Sequence, residues 1–293
     1  MIVASIFGGL GNQMFQYAAG FALADRLKTH LILDLSAFKC RRVPRKYDLD
    51  RLFCVRSEVA SDSSLKEFLG WRKNKLAMRV FRRPFFTFFR GKKIVVEPHF
   101  HYWKNFVDLL DDVYLLGYWQ SEKYFSNVKS LLRKEFEYCL AMPLVNEKIA
   151  TQMNAVNSVS VHVRRGDYVT SKAVHRMHGV CSLGYYIDSI NYISERVTNP
   201  VFYFFSDDIE WARNNIGIRQ RHLFIDYNYG ENSYNDMRLM ALCKHNIIAN
   251  SSFSWWGAWL NINKEKIVIA PKRWFCDSRI NTDDVCPESW IRL

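Results

Sequence analysis

The opening of the chain decides the fold class. An apolar run, Ile2–Phe7, leads into the loop Gly8-Gly9-Leu10-Gly11-Asn12-Gln13, and a second apolar run, Leu31–Leu35, follows. Between them Met14, Ala18, Phe21 and Ala22 recur at i, i+4, i+7 and i+8, the spacing of one helix face. Strand, glycine turn, helix, strand is a βαβ unit, and its buried face packs on a parallel sheet.

The pattern continues with strand runs at Lys93–Glu97 and Val113–Leu116, and a polar stretch from Pro143 to Asn157 then interrupts it. Beyond this stretch apolar runs resume at Val159–Val163, Val201–Phe205, His222–Ile225, Asn246–Ala249 and Ile267–Ala270. Helical patterns at Tyr185–Val197, Ser233–Cys243 and Ser254–Leu260 fall between them. The expected organisation is α/β: two facing Rossmann-like domains with a cleft between them, residues 1–145 and 146–293.

Composition narrows the function. The chain has 293 residues, 49% of them hydrophobic, enough for one large core or two ordinary ones. No apolar run approaches the roughly 18 residues of a membrane span, and the first strand begins at Met1 with no signal-peptide flank, so a cytosolic location is expected. Seven scattered cysteines without a Cys-x-x-Cys pair read as reduced thiols. The formal charge of +12 calls for an anionic partner. Much of it lies between Lys39 and Lys93, where Lys and Arg interleave with Trp71, Phe81, Phe85, Phe86, Phe88 and Phe89. Docking to an anionic membrane surface and a solvated basic face over an aromatic core both remain open. Nucleic acid ranks last, because no nucleic-acid-binding motif accompanies the charge.

Four segments carry candidate chemistry. Gly9, Gly11, Asn12 and Gln13 form a loop whose backbone N–H groups can approach an anion at a helix N-terminus. It is half a dinucleotide fingerprint: Met14 occupies the third glycine position, while Asp34 ends the second strand where a ribose-binding acid would sit. A nicotinamide oxidoreductase therefore stays as an alternative. In the second segment, His162, Arg164, Arg165 and Asp167 follow a buried strand; one arginine can grip a phosphate bidentately while its neighbour pairs with Asp167. The third segment places Asp207 and Asp208 after another strand, where a carboxylate can bind a guanine edge, hold a metal or cap a helix. In the fourth, Ser252, Phe253 and Ser254 open a helix whose first turn can be capped by a serine and can hold a phosphate. Trp255, Trp256 and Trp259 read as core, His245 as a satisfied buried histidine, and Asp48-Leu49-Asp50 as no metal site.

In combination these segments resemble the bacterial α-1,2-fucosyltransferases, relatives of the α-1,6- and protein O-fucosyltransferases. The resemblance is carried by Gly8-Gly9-Leu10-Gly11-Asn12-Gln13-Met14-Phe15-Gln16-Tyr17-Ala18, Gly117-Tyr118-Trp119-Gln120-Ser121, His162-Val163-Arg164-Arg165-Gly166-Asp167-Tyr168-Val169 and Asn250-Ser251-Ser252-Phe253-Ser254-Trp255-Trp256. It implies a GT-B architecture, GDP-fucose as donor held mainly by the C-terminal domain, no metal or other cofactor, and inversion at the fucose anomeric carbon. It also implies that Arg164 contacts the diphosphate and that His162 with Asp207 or Asp208 lies near the guanosine. Ser252 to Ser254 approach the phosphates, and Asn12 reaches the donor across the cleft. Asp167 is the candidate general base; the α-1,6 relatives carry a glutamate a few residues after their arginine pair, whereas here that stretch reads Val169-Thr170-Ser171-Lys172 and offers none, so a loose mechanism with late proton loss stays open beside it. The acceptor implied is a galactose-terminated oligosaccharide, lipid-linked during O-antigen or capsule assembly at the cytoplasmic face of the inner membrane. A non-catalytic glycan- or polyanion-binding protein is the third reading.

Overall fold

The computed structural model describes residues 1–39, 45–55, 57–74, 80, 90–91 and 93–293. The chain divides into two compact units, Met1–Leu140 with Asp283–Val285, and Ala141–Thr282 with Cys286–Leu293. Most of the basic aromatic stretch to which membrane docking was assigned lies outside the described residues. Among the described residues, no helix is long and apolar enough to cross a membrane.

The first unit is a parallel sheet in the order β3-β2-β1-β5-β4. Its strands are β1 (Ile2–Ser5), β2 (Leu31–Asp34), β3 (Glu58–Val59), β4 (Ile94–Val96) and β5 (Val113–Leu116). Helix α1 (Leu10–Leu27) connects β1 to β2, as the apolar spacing predicts, and buries Met14, Phe15, Ala18 and Ala22. It ends at Lys28, which takes the left-handed conformation and returns its N–H to the carbonyls of Ala24 and Asp25. Strand β5 is fully buried, the continuous apolar character that a covered parallel strand requires.

The second unit is a six-stranded parallel sheet, β11-β10-β9-β6-β7-β8. It comprises β6 (Asn157–Val163), β7 (Pro200–Ser206), β8 (His222–Ile225), β9 (His245–Ile247), β10 (Val268–Ala270) and β11 (Ile291–Arg292). Its core joins Val159, Val161 and Val163 of β6 to Phe202 and Phe204 of β7 and to Tyr186, Ile190 and Ile193 of a covering helix, Leu183–Ser194. Each such side chain contributes roughly 1.5–3 kcal/mol on burial, so this apolar layer rather than any surface ion pair holds the unit together. Tyr185 is also core, its hydroxyl donating to the carbonyls of Ile248 and Ile269.

The polar stretch after Pro143 is not a linker. It forms a helix, Leu144–Asn154, and Asn157 already begins β6. Met153 anchors it in the core while Leu144 and Val145 stay exposed, and an amide exchange adds to the anchoring: Asn146 and Asn228 each donate to the other at 3.0 and 3.1 Å, and Asn228 also donates to Asp236 at 2.8 Å. Burial pushes the Asp236 carboxyl up to about 7 against that hydrogen bond. The folded state thus keeps a proton that an unfolded carboxyl, titrating near 3.8, has released. This contribution to stability is complete below about pH 4 and is lost as pH rises through about 7. Thermal unfolding from pH 4 to 8 should therefore show a fall in midpoint for the native chain that is shallower for Asp236→Asn.

Candidate functional site

In each unit the strand order reverses at one place, and ligands of open α/β sheets bind beyond the strand carboxyl ends there. In the second unit β6 runs to β7 and β8 on one side and has β9 and β10 on the other, so the reversal lies at the end of β6. That end carries His162, Arg164 and Arg165. In the first unit it lies between β1 and β5, at the Gly8-Gly9 turn that opens α1 and at the Gly117–Gln120 loop.

Registered pairing of β6 with β7, from Asn157↔Pro200 to Val163↔Ser206, brings the residues after the two strands together. Arg164 is held between two carboxylates, Nη2 donating to Asp167 Oδ1 at 2.6 Å and Nη1 lying 2.8 Å from Asp207 Oδ2. Its guanidinium also sits over the Tyr168 ring at 5.2 Å. Arg165 Nε donates to Asp208 at 3.1 Å, and its guanidinium covers the Trp211 ring at 3.9 Å. The assignment of partners thus differs from the sequence reading: the arginine expected to grip phosphate is the one that takes Asp167, and Arg165 pairs with Asp208. Face alternation along an extended strand no longer governs side chains once the strand ends at Val163.

The two aspartates after β7 hold protein groups. Asp207 accepts from the Arg165 backbone N–H at 2.8 Å as well as meeting Arg164. Asp208 caps the helix Ile209–Asn215 through the Trp211 N–H, the capping role foreseen for one of the pair. Both carboxylates are thus engaged with protein groups, one partner to each oxygen.

His162 and Arg164 are different. His162 is 5% exposed, its Nδ1 has no partner, and burial together with the nearby Arg164 charge lowers its pKa to about 3, so the ring is neutral. Arg164 Nε is likewise buried without a partner. Most buried polar atoms are paired, so two orphans at a switch point make His162 and Arg164 candidates for ligand contact. The Phe253 ring stands 5.8 Å from that of His162.

Phe253 belongs to the nine-residue helix Ser252–Leu260. Its cap is Ser251, accepting from the Phe253 N–H, and not Ser252 or Ser254. Ser254 is wholly buried, its Oγ turned back toward the Ser251 carbonyl, so its hydroxyl cannot approach a phosphate. Ser252 and Phe253 are half-buried at the helix start. Trp255, Trp256 and Trp259 are core, and His245 accepts from the Ile267 N–H at 3.0 Å, both as read from sequence.

In the first unit Gly9 is the N-cap of α1, and Gly11 is buried in its first turn. Gln13 proves structural: it is fully buried, donating to the carbonyls of Gly8 and Lys46 and accepting from the Asp48 N–H. Asn12 is half-buried and its Oδ1 accepts from Gln120 Nε2 at 2.8 Å. Asp34 offers nothing to a ribose, because its oxygens accept from Tyr114 Oη at 2.6 Å and from the Ser36 N–H. One residue at this edge escaped the sequence reading. Glu97, just past β4, accepts from the N–H groups of Tyr118 at 2.6 Å and Trp119 at 3.0 Å, and burial pushes its carboxyl up to about 7.

Residues 82–293 match the model of glycosyl transferase family 11, and the chain belongs to that family. It is a glycosyltransferase, which removes the nicotinamide and non-catalytic readings. It is 39% identical to an α-1,2-colitosyltransferase of Escherichia coli, over 100% of this chain and 99% of that protein. It is 33% identical to the O-antigen biosynthesis glycosyltransferase WbnK of Escherichia coli, with 98% of each covered. Among solved structures, the fucosyltransferase NodZ from Bradyrhizobium matches with a TM-score of 0.55 at 14% identity, over 87% of this chain and 91% of that one. NodZ soaked with GDP-fucose matches at 0.53. The fold is therefore that of GT-B fucosyltransferases, with two parallel-sheet α/β domains.

A methyl group at Gly166 would run into the Asp207 carboxylate, whose Cγ would be only 3.0 Å away. Gly166→Ala should displace Asp207, loosen Arg164 and cut glycosyl transfer at least about tenfold, equivalent to about 1.4 kcal/mol. Steady-state rates with an unchanged far-ultraviolet dichroism spectrum would establish this.

Proposed function

We propose that this enzyme is an inverting galactoside α-1,2-fucosyltransferase that moves L-fucose from GDP-fucose to the 2-hydroxyl of a galactose in an O-antigen glycan. The observation that carries the reading is the pair of unpartnered, buried polar atoms at the end of β6, Arg164 Nε and His162 Nδ1. A guanidinium locked by two carboxylates still offers its Nε edge, the side-on geometry in which arginine grips a phosphate. Neutral His162 and the Phe253 ring beside it suit a base or ribose better than a second anion.

In this scheme the C1–O bond to GDP lengthens through an oxocarbenium-like state, and the main task is to stabilise charge on the departing diphosphate. Arg164 and the first turn of Ser252–Leu260 do this without a divalent ion. Asn12 keeps its Nδ2–H for substrate, since Gln120 occupies its oxygen. The acceptor assignment draws support from relatives that bear α-1,2 and O-antigen names. A second donor is favoured by one observation: the 39%-identical relative transfers colitose by name, a sugar that lacks the 3-hydroxyl of fucose.

The test is mass spectrometry of the protein incubated with lactose and either GDP-fucose or GDP-colitose in EDTA. The expected product is a fucosylated trisaccharide together with GDP. Product from GDP-colitose alone would replace fucose by colitose, and no product without added divalent ion would remove metal independence. Arg164→Ala should lower kcat by about 10²–10³-fold, the cost of losing one transition-state donor. Retained activity in that variant would overturn the role given to the β6 end.

A further inference from the structure

We infer that the amino edge of the second unit's sheet carries a binding site for a free phosphorylated sugar, separate from the site at the end of β6 and independent of the donor and acceptor proposed above. A pocket of about 780 Å³ opens there, a volume in the range of small-molecule sites. It is lined by the segments that lead into four neighbouring parallel strands, β9-β6-β7-β8: Lys244 before β9, Asn157 at the start of β6, Thr198 before β7 and Arg221 before β8. Every lining residue belongs to the second unit. Arg164 follows the opposite end of β6, and the seven residues of that strand span about 20 Å. A ligand in this pocket therefore lies on the far edge of the sheet from the arginine.

The lining is cationic. Among the described residues it contains Lys244 and Arg221 but no carboxylate. The half-buried Lys244 ammonium donates to Asn157 Oδ1 at 3.2 Å, a neutral acceptor, which leaves two of its three N–H bonds for a ligand. Glu195, next in the chain to the lining residue Ser194, is taken by Arg196 at 3.0 Å. Two helices, Leu144–Asn154 and Leu183–Ser194, end at the pocket, and each carboxyl end brings roughly −0.5 of an elementary charge. Together they offset about one of the two full positive charges, so the pocket keeps a net attraction for an anion.

Phosphate is the anion that suits this pair, because Lys244 meets it as a point charge and Arg221 as a fork of N–H donors. The remaining polar lining, Asn157, Ser194, Thr198 and Gln220 among it, consists of amides and hydroxyls, the groups that pair with the hydroxyls of a sugar ring. No aromatic ring lines the pocket among the described residues, so nothing there stacks on a base, and a sugar phosphate fits better than a nucleotide. The wall is also fixed in advance. Asn157 Nδ2 donates to the Thr198 carbonyl at 2.7 Å, tying the entrances of β6 and β7 together, while its oxygen orients Lys244. A ligand thus meets groups already in place and loses little to ordering them.

The test titrates the full chain with galactose 1-phosphate in a calorimeter, with and without saturating GDP. The expected result is one-to-one binding that GDP does not displace, that weakens as salt is raised, and that galactose alone does not reproduce. Arg221→Gln and Lys244→Gln should each weaken it at least about tenfold, the loss of one charged hydrogen-bonding partner. Arg221 is exposed and its removal disturbs no packing, so an unchanged unfolding midpoint in that variant separates loss of the site from loss of the fold. Absence of binding, displacement by GDP, or affinity untouched by both substitutions would overturn the inference. Retention by phosphatidylglycerol vesicles without binding of the free sugar phosphate would also overturn it, by assigning the two cations to a membrane surface.

Discussion

A half-buried guanidinium, Arg164, held by carboxylates from two loops organises the carboxyl-end edge of the second unit's sheet. Leaving Arg164 half-buried without counter-charges would cost several kcal/mol, so Asp167 and Asp207 are conditions of its position rather than additions to it. Asp207 also accepts the Arg165 N–H, which ties the loop after β6 to the loop after β7. That tie depends on the seven registered pairs of those strands, and a one-residue slip would reverse every face and separate the charges. The pairing register of β6 and β7 therefore serves the site as much as the core.

The first unit solves the same problem with the sign inverted. At its edge stands a carboxyl group, Glu97, and among the described residues the groups that hold it are the backbone N–H donors of Tyr118 and Trp119. This difference has a chemical consequence. Carboxylates around Arg164 fix the orientation of the guanidinium, whereas backbone dipoles orient Glu97 without supplying a full compensating charge. The result is a carboxyl that titrates near neutrality.

Much of this architecture was legible because parallel strands write continuous apolar runs. Val113–Leu116 and His222–Ile225 read directly as β5 and β8, and the loops at β1, β6 and β7 identified themselves by abrupt change from apolar to polar. What failed were features decided by distant partners. Gln13 looks like a ligand-binding tip residue, but the Lys46–Asp48 segment folds over it. The helix Leu144–Asn154 does not announce itself, because its leading apolar residues Leu144 and Val145 are exposed while a buried amide pair with Asn228 supplies part of its anchoring. Glu97 stood alone after a basic run, and its meaning arises only from a left-handed tryptophan more than twenty residues later. The partners of Arg164 and Arg165 could not be separated without the turn that follows Val163.

If Arg164 grips the donor phosphate as proposed, the choice of donor sugar is decided elsewhere. Fucose and colitose reach such a site on the same nucleoside diphosphate, so a phosphate grip stabilises both departures equally and cannot tell them apart. Discrimination has to come from side chains around the sugar 3-position, and its size depends on direction. A subsite built to hydrogen-bond the 3-hydroxyl rejects the deoxy sugar by about 10⁴–10⁵, because its polar groups are left unpaired, while an apolar subsite rejects an added hydroxyl by only about 10². An enzyme selected for colitose therefore tolerates fucose far better than the reverse, and relatives that share the arginine motif can differ in donor without changing the machinery at the end of β6.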